Sequence, residues 1–295
     1  MSFQITTAFI NSYKAGIMQL LQQKGSYLRP YVRVESQSAE YNFYDRIGAT
    51  EAQEVIGRHQ DTPLVSTPHD RRRVGIADWD WADLVDDRDR IRLLSDPTSP
   101  YTMNAVDAFG RTIDDVIIKA AFADAYTGKT GSTTVSFPST QRILHNYVET
   151  GTASPSDMTI GKWRAVKKMM DSKEVPEEGR YIAFTSTQLQ SLLRTTEITS
   201  RDYNEVQALV DGRINRFLGF QVVRTERLSN NADGYRRCMA WQRDGLLLAM
   251  GKDIKTMVSD RPDKRYSTQV YVCMSIGAVR MEEERVIEIL CDESA

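Results

Sequence analysis

The chain has 295 residues, enough for one large domain or two domains of ordinary size. Hydrophobic residues make up 41% of it and charged residues 26%, as is usual for folded soluble proteins. Lys and Arg number 38 against 40 Asp and Glu. The resulting net charge of -2 excludes an overall basic field that would draw the protein onto nucleic acid, and leaves room only for a local basic patch.

Cysteine usage and hydropathy indicate the compartment. The three cysteines are Cys238, Cys273 and Cys291, an odd number at wide spacing, which predicts reduced thiols rather than a disulfide framework or a zinc motif. No apolar run approaches the roughly 18 residues of a membrane span. The N-terminus also lacks the layout of a signal peptide. We therefore expect a protein that is made and folded in a cytoplasm and has no membrane partner.

The first predicted element is an amphipathic helix from about residue 7 to 24, because apolar residues recur at helical spacing and Gly25 follows as a stop. From residue 29 to about 96 the pattern changes, and residues 31–35 and 40–45 alternate with period two, which predicts strands. This long, weakly apolar segment cannot build a core of its own, yet its aromatic side chains need burial. It therefore predicts a protruding β-hairpin arm whose apolar face lies against another subunit.

A long helix is predicted next, over residues 101–126, ended by Gly128. Its length would be about 39 Å, which indicates a spine that organises an elongated molecule. The apolar stripe of this helix consists of Val106, Phe109, Ile113, Val116, Ile117 and Ala120.

The second half of the chain alternates between strands and helices. Thr185 and Gln188 form a predicted capping box at the start of one helix. This interleaving predicts an α+β fold without cleanly separate domains. The predicted strands span residues 133–137, 180–184, 220–224, 237–241, 268–274 and 285–290, and the other predicted helices span residues 159–172 and about 203–210.

Residues 123–130, ADAYTGKT, satisfy a relaxed phosphate-loop pattern. A working phosphate loop follows a strand and precedes a helix, so that the helix N-terminus faces the phosphates. Here the long helix comes first, residues 123–126 are interpreted as its last turn, and a β-rich segment follows. Because a helix C-terminus has the wrong dipole sign for phosphate, we interpret this segment as a glycine-capped helix end.

No other motif predicts a reaction. The histidines His59, His69 and His145 lack metal-ligand spacing, and no G-x-S-x-G elbow or Cys–His pair indicates a nucleophile. Carboxylates are numerous, but no pair stands out. We therefore predict a protein that is not an enzyme and has no cofactor, metal or catalytic residue. A soluble α+β enzyme with an unrecognised carboxylate site is the alternative of another class.

Residues 69–87 are the strongest candidate for an interaction site. The arginine run at 71–73 is suited to phosphate, but five aspartates follow it, and their field opposes a polyanion. Opposite charge blocks suit contact between identical subunits better, and the alternative is that these residues form an ordinary solvent-exposed face. Val74 and Ile76 are predicted to share one strand face, and Trp79 and Trp81 the next, after a bulge near Ala77. The predicted intersubunit contacts are Arg71, Arg72, Arg73, Val74, Ile76, Trp79, Asp80, Trp81, Tyr41 and Phe43.

The order of elements resembles the major capsid protein of tailed bacteriophages, the Hong Kong 97 fold that encapsulins also use. Residues 175–185, VPEEGRYIAFT, resemble the "V-P-x-x-x-R, apolar strand, helix" segment of one branch of these proteins. Residues 212–214, GRI, followed by 217–223, FLGFQVV, resemble their "G-x-I, apolar-G-F, strand" element. The resemblance covers essentially the whole chain and depends on the sum of these features.

The resemblance implies a Hong Kong 97-like architecture with an N-terminal arm, an extended β-hairpin loop that overlaps a neighbouring subunit, a long spine helix, and peripheral and axial domains. The implied segments are the arm at 1–29, the extended loop at 30–95, the peripheral domain with the spine helix at 96–180, the axial domain at 181–265, and C-terminal strands returning to the peripheral domain at 266–295.

The implied function is a structural subunit that self-assembles into pentamers and hexamers of an icosahedral phage head enclosing double-stranded DNA. The expected location is the virion, after assembly in the host bacterial cytoplasm. Expected partners are other copies of the chain, a portal, DNA packaged without sequence specificity, and a separate scaffolding protein, since the sequence begins directly with the arm. An encapsulin-like compartment is the alternative on the same fold.

Overall fold

The computed structural model describes residues 21–54, 64–85, 98–194 and 216–294. The chain divides into two compact units, each assembled from segments that are distant in sequence. The predicted borders near residues 95 and 265 fall inside segments of the first unit, so the predicted domains differ from the compact units. Unit 1 comprises Met1–Ser26, Asp78–Thr112 and Lys252–Ser275, and unit 2 comprises Tyr27–Ala77, Ile113–Gly251 and Ile276–Ala295.

The described residues contain both strands and helices, which confirms the α+β prediction. The strands are β1 (Arg33–Ser36), β2 (Tyr41–Ile47), β3 (His69–Gly75), β4 (Ala77–Val85), β5 (Ala125–Thr127), β6 (Thr133–Val135), β7 (Arg142–Ile143), β8 (Arg180–Phe184), β9 (Arg216–Phe217), β10 (Phe220–Arg224), β11 (Arg236–Gln242), β12 (Leu246–Arg261), β13 (Ser267–Arg280) and β14 (Val286–Cys291). The helices are α1 (Thr98–Phe122), α2 (Ile160–Asp171) and α3 (Ser186–Leu193).

Two predicted helices fall mostly or wholly outside the described residues. The helix predicted at 203–210 lies entirely outside them. Of the helix predicted at 7–24, only residues 21–24 are described, and they are not helical. For those four residues the prediction is wrong: the carbonyl of Gln23 accepts a hydrogen bond from the Arg111 side chain at 3.2 Å, so this backbone is held by contact with α1.

The strands form three sheets. The six-stranded sheet has the order β7-β14-β11-β8-β10-β9, and the two four-stranded sheets have the orders β2-β3-β5-β6 and β1-β12-β13-β4. In the six-stranded sheet β10 runs parallel to β8, while β11 is antiparallel to both β8 and β14. This sheet therefore takes strands from the segments predicted as peripheral, axial and C-terminal.

Helix α2 has the predicted amphipathic character. Its inner residues Ile160, Trp163, Val166 and Met170 are all buried. The indole of Trp163 meets the ring of Phe184 edge to face, with centroids 5.9 Å apart. The Thr159 hydroxyl accepts a hydrogen bond from the backbone N–H of Lys162 at 3.2 Å and so caps the helix.

The capping box at the start of α3 is also confirmed. The backbone N–H of Thr185 donates to the side-chain carbonyl of Gln188 at 3.1 Å. Leu189 and Leu192 of this helix are buried, as their spacing predicts. Local chemistry therefore sets both the start of α3 and the face that it buries.

The spine helix α1 ends at Phe122, four residues before the predicted end, and residues 125–127 form β5 instead. The guanidinium of Arg280, fully buried, donates from Nη1 to the carbonyls of Ala121 (2.9 Å) and Ala123 (2.8 Å). A cation at this position satisfies the free carbonyls of the last turn and favours the negative end of the helix dipole. The helix end is thus set by a residue far away in the sequence. Its buried stripe is Ala105, Phe109, Ile113, Ile117, Ile118 and Ala121, with Val106, Val116 and Ala120 half-buried.

Candidate intersubunit interface

Strands β2 and β3 pair antiparallel from Tyr41 opposite Gly75 to Ile47 opposite His69, which confirms a hairpin in the predicted extended loop. Because side chains alternate along a strand, this register separates the residues into two sets. The outer face consists of Tyr41, Phe43, Asp45, Ile47, His69, Arg71 and Arg73. The inner face consists of Asn42, Tyr44, Arg46, Asp70, Arg72 and Val74.

The outer face combines aromatic rings with guanidinium groups. The guanidinium of Arg71 lies 5.7 Å from the centroid of the Phe43 ring, and that of Arg73 lies 5.1 Å from Tyr41 and 4.7 Å from Tyr126. Tyr41 is 51% exposed. Stacking of this kind favours the cations and limits the rotamers of the arginines before any partner binds. Four of the predicted contact residues therefore share one solvent-accessible face.

The inner face is covered by the chain itself. Arg72 and Val74 are each 1% exposed, and Val74 packs in a cluster with Leu247 and Val279. Arg72 pairs with Glu283 and donates from Nε to the carbonyl of Met281 at 3.2 Å. Arg72 and Val74 are therefore corrected from predicted intersubunit contacts to internal ones. The cause is the period of two, which sends the middle arginine of the run to the opposite side from its neighbours.

Arg46, Arg72 and Arg280 surround Glu283, and we call these four residues the arginine cluster. Besides its pairing with Arg72, the Glu283 carboxylate lies 3.7 Å from Nε of Arg280 and 3.9 Å from Nη1 of Arg46. Asp70 in turn pairs with Arg46. The cluster joins the hairpin to the segment after β13 and, through Arg280, to the end of α1. The sequence gives one indication of this cluster: Arg46 and Tyr44 are two residues apart on β2, so both side chains lie on its inner face.

The carboxylate of Asp70 should make stability depend on acid pH. Burial alone would raise its pKa, but hydrogen bonds from Thr127 and Arg46 outweigh burial and hold the pKa well below the usual 3.8. The folded state then binds fewer protons than the unfolded state, so this contribution is present above about pH 4 and is lost as the pH falls. We expect Asp70→Asn to lower the free energy of unfolding at neutral pH and to flatten its decline in acid, as measured by denaturant unfolding. An identical acid decline in both proteins would contradict this assignment.

Trp79, Asp80 and Trp81 lie on β4, in a different sheet from the outer face. Strand β3 ends at Gly75 and β4 begins at Ala77, so Ile76 marks a change of sheet, and the predicted bulge within one strand is wrong. The reason is a close backbone approach, because a Cβ on Gly277 would lie 2.0 Å from the carbonyl oxygen of Gly75.

Four of the predicted contact residues, Ile76 and residues 79–81, lie at or after this change of sheet and differ in exposure. Trp79 is 41% exposed, Asp80 is exposed and Trp81 is half-buried. Ile76 is half-buried and packs against the cluster that contains Val74. The two tryptophans and Asp80 therefore remain accessible on their sheet, whereas Ile76 is partly engaged within the chain.

The other chemical candidates of the sequence are its cysteines, its histidines and the phosphate-loop pattern. Within the described ranges, no three His, Cys, Asp or Glu side chains are grouped as metal ligands. The three cysteines are free and buried, as their spacing predicts. His145 stacks on Tyr235 with ring centroids 4.0 Å apart, His69 is exposed, and His59 lies outside the described residues. Residues 125–135 form the β5–β6 hairpin, so the phosphate-loop pattern lacks the helix that it would need.

Lys162 is a buried cation that the sequence analysis missed. It is fully buried, and Nζ donates to the carbonyls of His145 (3.0 Å), Ser156 (2.6 Å) and Leu290 (3.0 Å). Burial lowers the pKa of its ammonium group. Three acceptors from separate segments around one ammonium indicate a structural tie.

None of the helices in the described part of the chain is both long enough and apolar enough to cross a membrane. The expectation of no membrane partner concerns the whole protein and stays a prediction.

Comparison with known proteins places the chain in a family. The phage capsid protein family matches residues 5–293. No curated protein sequence matches. Among solved structures, the capsid of Cyanophage P-SCSP1u is similar with a TM-score of 0.74 at 17% identity, covering 97% of this chain and 94% of that one.

Two further capsid structures share the fold. The capsid of Ralstonia phage GP4 has a TM-score of 0.73 at 14% identity, with 96% and 95% of the two chains covered. The Cyanophage Pam1 capsid has a TM-score of 0.70 at 13% identity, with 100% and 99% covered. These likenesses confirm the predicted Hong Kong 97-like fold. Together with the family match over nearly the whole sequence, they establish that the chain belongs to the phage capsid protein family and is a major capsid structural subunit.

Proposed function

We propose that this capsid protein builds the phage head by laying the outer face of its β2–β3 hairpin on a neighbouring copy in pentamers and hexamers. The observation that carries the proposal is the contrast between the two faces of the hairpin. On the inner face Arg72 and Val74 are buried in the chain's own core, while the outer face leaves Tyr41, Phe43, Arg71 and Arg73 accessible. Aromatic and arginine side chains are the types most enriched at interface hot spots.

The charges on β4 support the same arrangement. Asp78 and Asp80 are exposed on this strand and alternate with Trp79 and Trp81, so one face of β4 is acidic and the other aromatic, and the acidic face is available to meet the arginines of another copy. Each such contact is weak, but a closed shell repeats it many times, and the summed free energy stabilises the particle.

The wider setting is part of the same proposal. We infer a non-enzymatic subunit of the virion, assembled in the host bacterial cytoplasm with a separate scaffolding protein and a portal, and enclosing double-stranded DNA without sequence specificity. The net charge of -2 supports weak contact with DNA, because a shell that carries little net charge does not bind the packaged polyanion tightly.

Reversing the charge of the outer face tests the proposal. The variant Arg71→Glu/Arg73→Glu should have a thermal unfolding midpoint within a few degrees of that of the unchanged protein, because both side chains lie on the outer face. We expect it to lose assembly into shells, as measured by light scattering and electron microscopy, because like charges would then face each other across the contact.

A matched variant separates charge from stacking. Arg71→Lys/Arg73→Lys keeps the charge but loses the planar contact with the rings, so it should assemble only at higher protein concentration. Shells formed by the glutamate variant at the same concentration as the unchanged protein would refute the role of the outer face.

A further inference from the structure

The arginine cluster holds an unusual concentration of buried donors. In the described part of the chain, seven buried side-chain nitrogen or oxygen atoms have no hydrogen-bond partner. Three of the seven belong to the cluster: Nε of Arg46, Nη1 of Arg72 and Nε of Arg280. All three carry a hydrogen that they can donate, so the site lacks acceptors rather than donors.

The geometry brings these groups together. Arg46 and Arg72 lie on the same inner face of the β2–β3 hairpin. Arg72 and Arg280 both approach the same oxygen of Glu283, and Arg46 approaches the other oxygen. Arg72 and Arg280 are 1% and 0% exposed, so bulk water does not reach their guanidinium groups.

The charges in the cluster do not balance. Three guanidinium groups face two carboxylates, those of Glu283 and Asp70, and Asp70 already accepts from Arg46 and from the Thr127 hydroxyl. Asp124 also acts on Arg280, but it is exposed and its charge is screened by solvent. Burial lowers the pKa of both Arg72 and Arg280 in spite of Glu283. Compensation of their charge is therefore incomplete.

An additional acceptor with a negative charge would satisfy both the donors and the charge. Burying an unpaired cation costs several kcal/mol per ion by order of magnitude, whereas leaving a neutral donor unpaired costs roughly 1–3 kcal/mol. Water offers acceptor lone pairs but no charge, and its own hydrogens would then need acceptors.

We propose that the arginine cluster binds one small inorganic anion with the size and charge of chloride, which accepts hydrogen bonds from Arg46, Arg72 and Arg280. The bound anion would strengthen the attachment of the hairpin to the segment after β13 and to the end of α1. This site is separate from the proposed contact between subunits, which lies on the opposite face of the hairpin.

The test measures thermal unfolding of the unassembled full-length chain while chloride replaces methanesulfonate at constant ionic strength. A ligand that binds only the folded state raises the unfolding midpoint, by roughly 2–4 °C for each tenfold increase in chloride above its dissociation constant. Glu283→Gln removes a negative charge, so the rise of the midpoint should begin at a lower chloride concentration. Arg46→Gln removes one cation and its donors, so the rise should begin at a higher chloride concentration.

A control and a direct observation complete the test. Tyr235→Phe changes a tyrosine outside the cluster and should leave the chloride dependence unchanged. Crystals of the chain grown in bromide should show one anomalous peak among Arg46, Arg72 and Arg280. An unfolding midpoint that is independent of chloride in the unchanged protein, or a water without anomalous signal at this position, would overturn the proposal. Neither result would affect the proposed assembly function.

Discussion

Replacing Trp79 and Trp81 with serine is expected to leave the subunit folded and to abolish assembly into shells. Trp79 is 41% exposed and Trp81 is half-buried, so neither ring is a full member of the subunit's own core. A tryptophan that becomes buried on a neighbouring copy contributes a few kcal/mol by order of magnitude, and a shell loses that contribution at every repeat of the contact. The loss should therefore be far larger for the particle than for the monomer.

Two measurements check this expectation. Circular dichroism should show an unfolding midpoint for Trp79→Ser/Trp81→Ser close to that of the unchanged protein, and electron microscopy should show no shells. The variant Trp79→Phe/Trp81→Phe retains aromatic area and should still assemble. If the serine variant fails to fold, the rings belong to the subunit's own core. If the serine variant folds and forms normal shells, β4 is not a contact surface.

Removing the carboxylate of Glu283 is expected to destabilise the subunit substantially. In Glu283→Ala, Arg72 and Arg280 would keep their buried charges without their shared partner. Breaking a buried ion pair by removing one partner typically costs about 3–5 kcal/mol. Because Glu283 itself is 22% exposed, we expect the lower end of that range in denaturant unfolding.

The adjacent residue offers a matched control. Glu284 pairs with Lys173 at 2.8 Å, but both side chains are about half exposed, at 52% and 50%. Exposed ion pairs contribute about 0–1 kcal/mol, so Glu284→Ala should change the free energy of unfolding little. Equal losses in the two variants would show that the buried cluster does not stabilise the subunit in the way that its geometry indicates.

Elements with strong local signals could be predicted closely. Strands β8 and β10 begin and end at the predicted residues, and the capping box of α3 forms as predicted. In each case short-range chemistry decides the structure: apolar alternation, a turn before the strand, or a side chain that binds the backbone three residues away. Strand β12 was not predicted, because its outer half, residues 252–261, mixes charged and apolar residues without a buried face.

The candidate interface likewise has a part that the sequence could predict and a part that it could not. The sequence indicated that Tyr41, Phe43, Arg71 and Arg73 lie on an extended arm, since composition and period-two alternation are local properties. It could not show that Arg72 is buried, because the partner of Arg72 is Glu283, more than two hundred residues later. A run of three arginines looks uniform until a strand register assigns alternate residues to opposite faces.

The sequence by itself determined the α+β class, the extended character of the segment that holds β2, the long helix and the resemblance to phage capsid proteins, because these follow from local periodicity and the order of elements. Only the tertiary structure decided where α1 ends, where the chain changes sheet at Ile76, and which arginines face inward. Each of these depends on groups brought together from distant segments: Arg280 at the carbonyls of Ala121 and Ala123, Gly277 at Gly75, and Glu283 among three arginines. Contacts of that kind leave no local pattern, since their residues become neighbours only when the chain is folded.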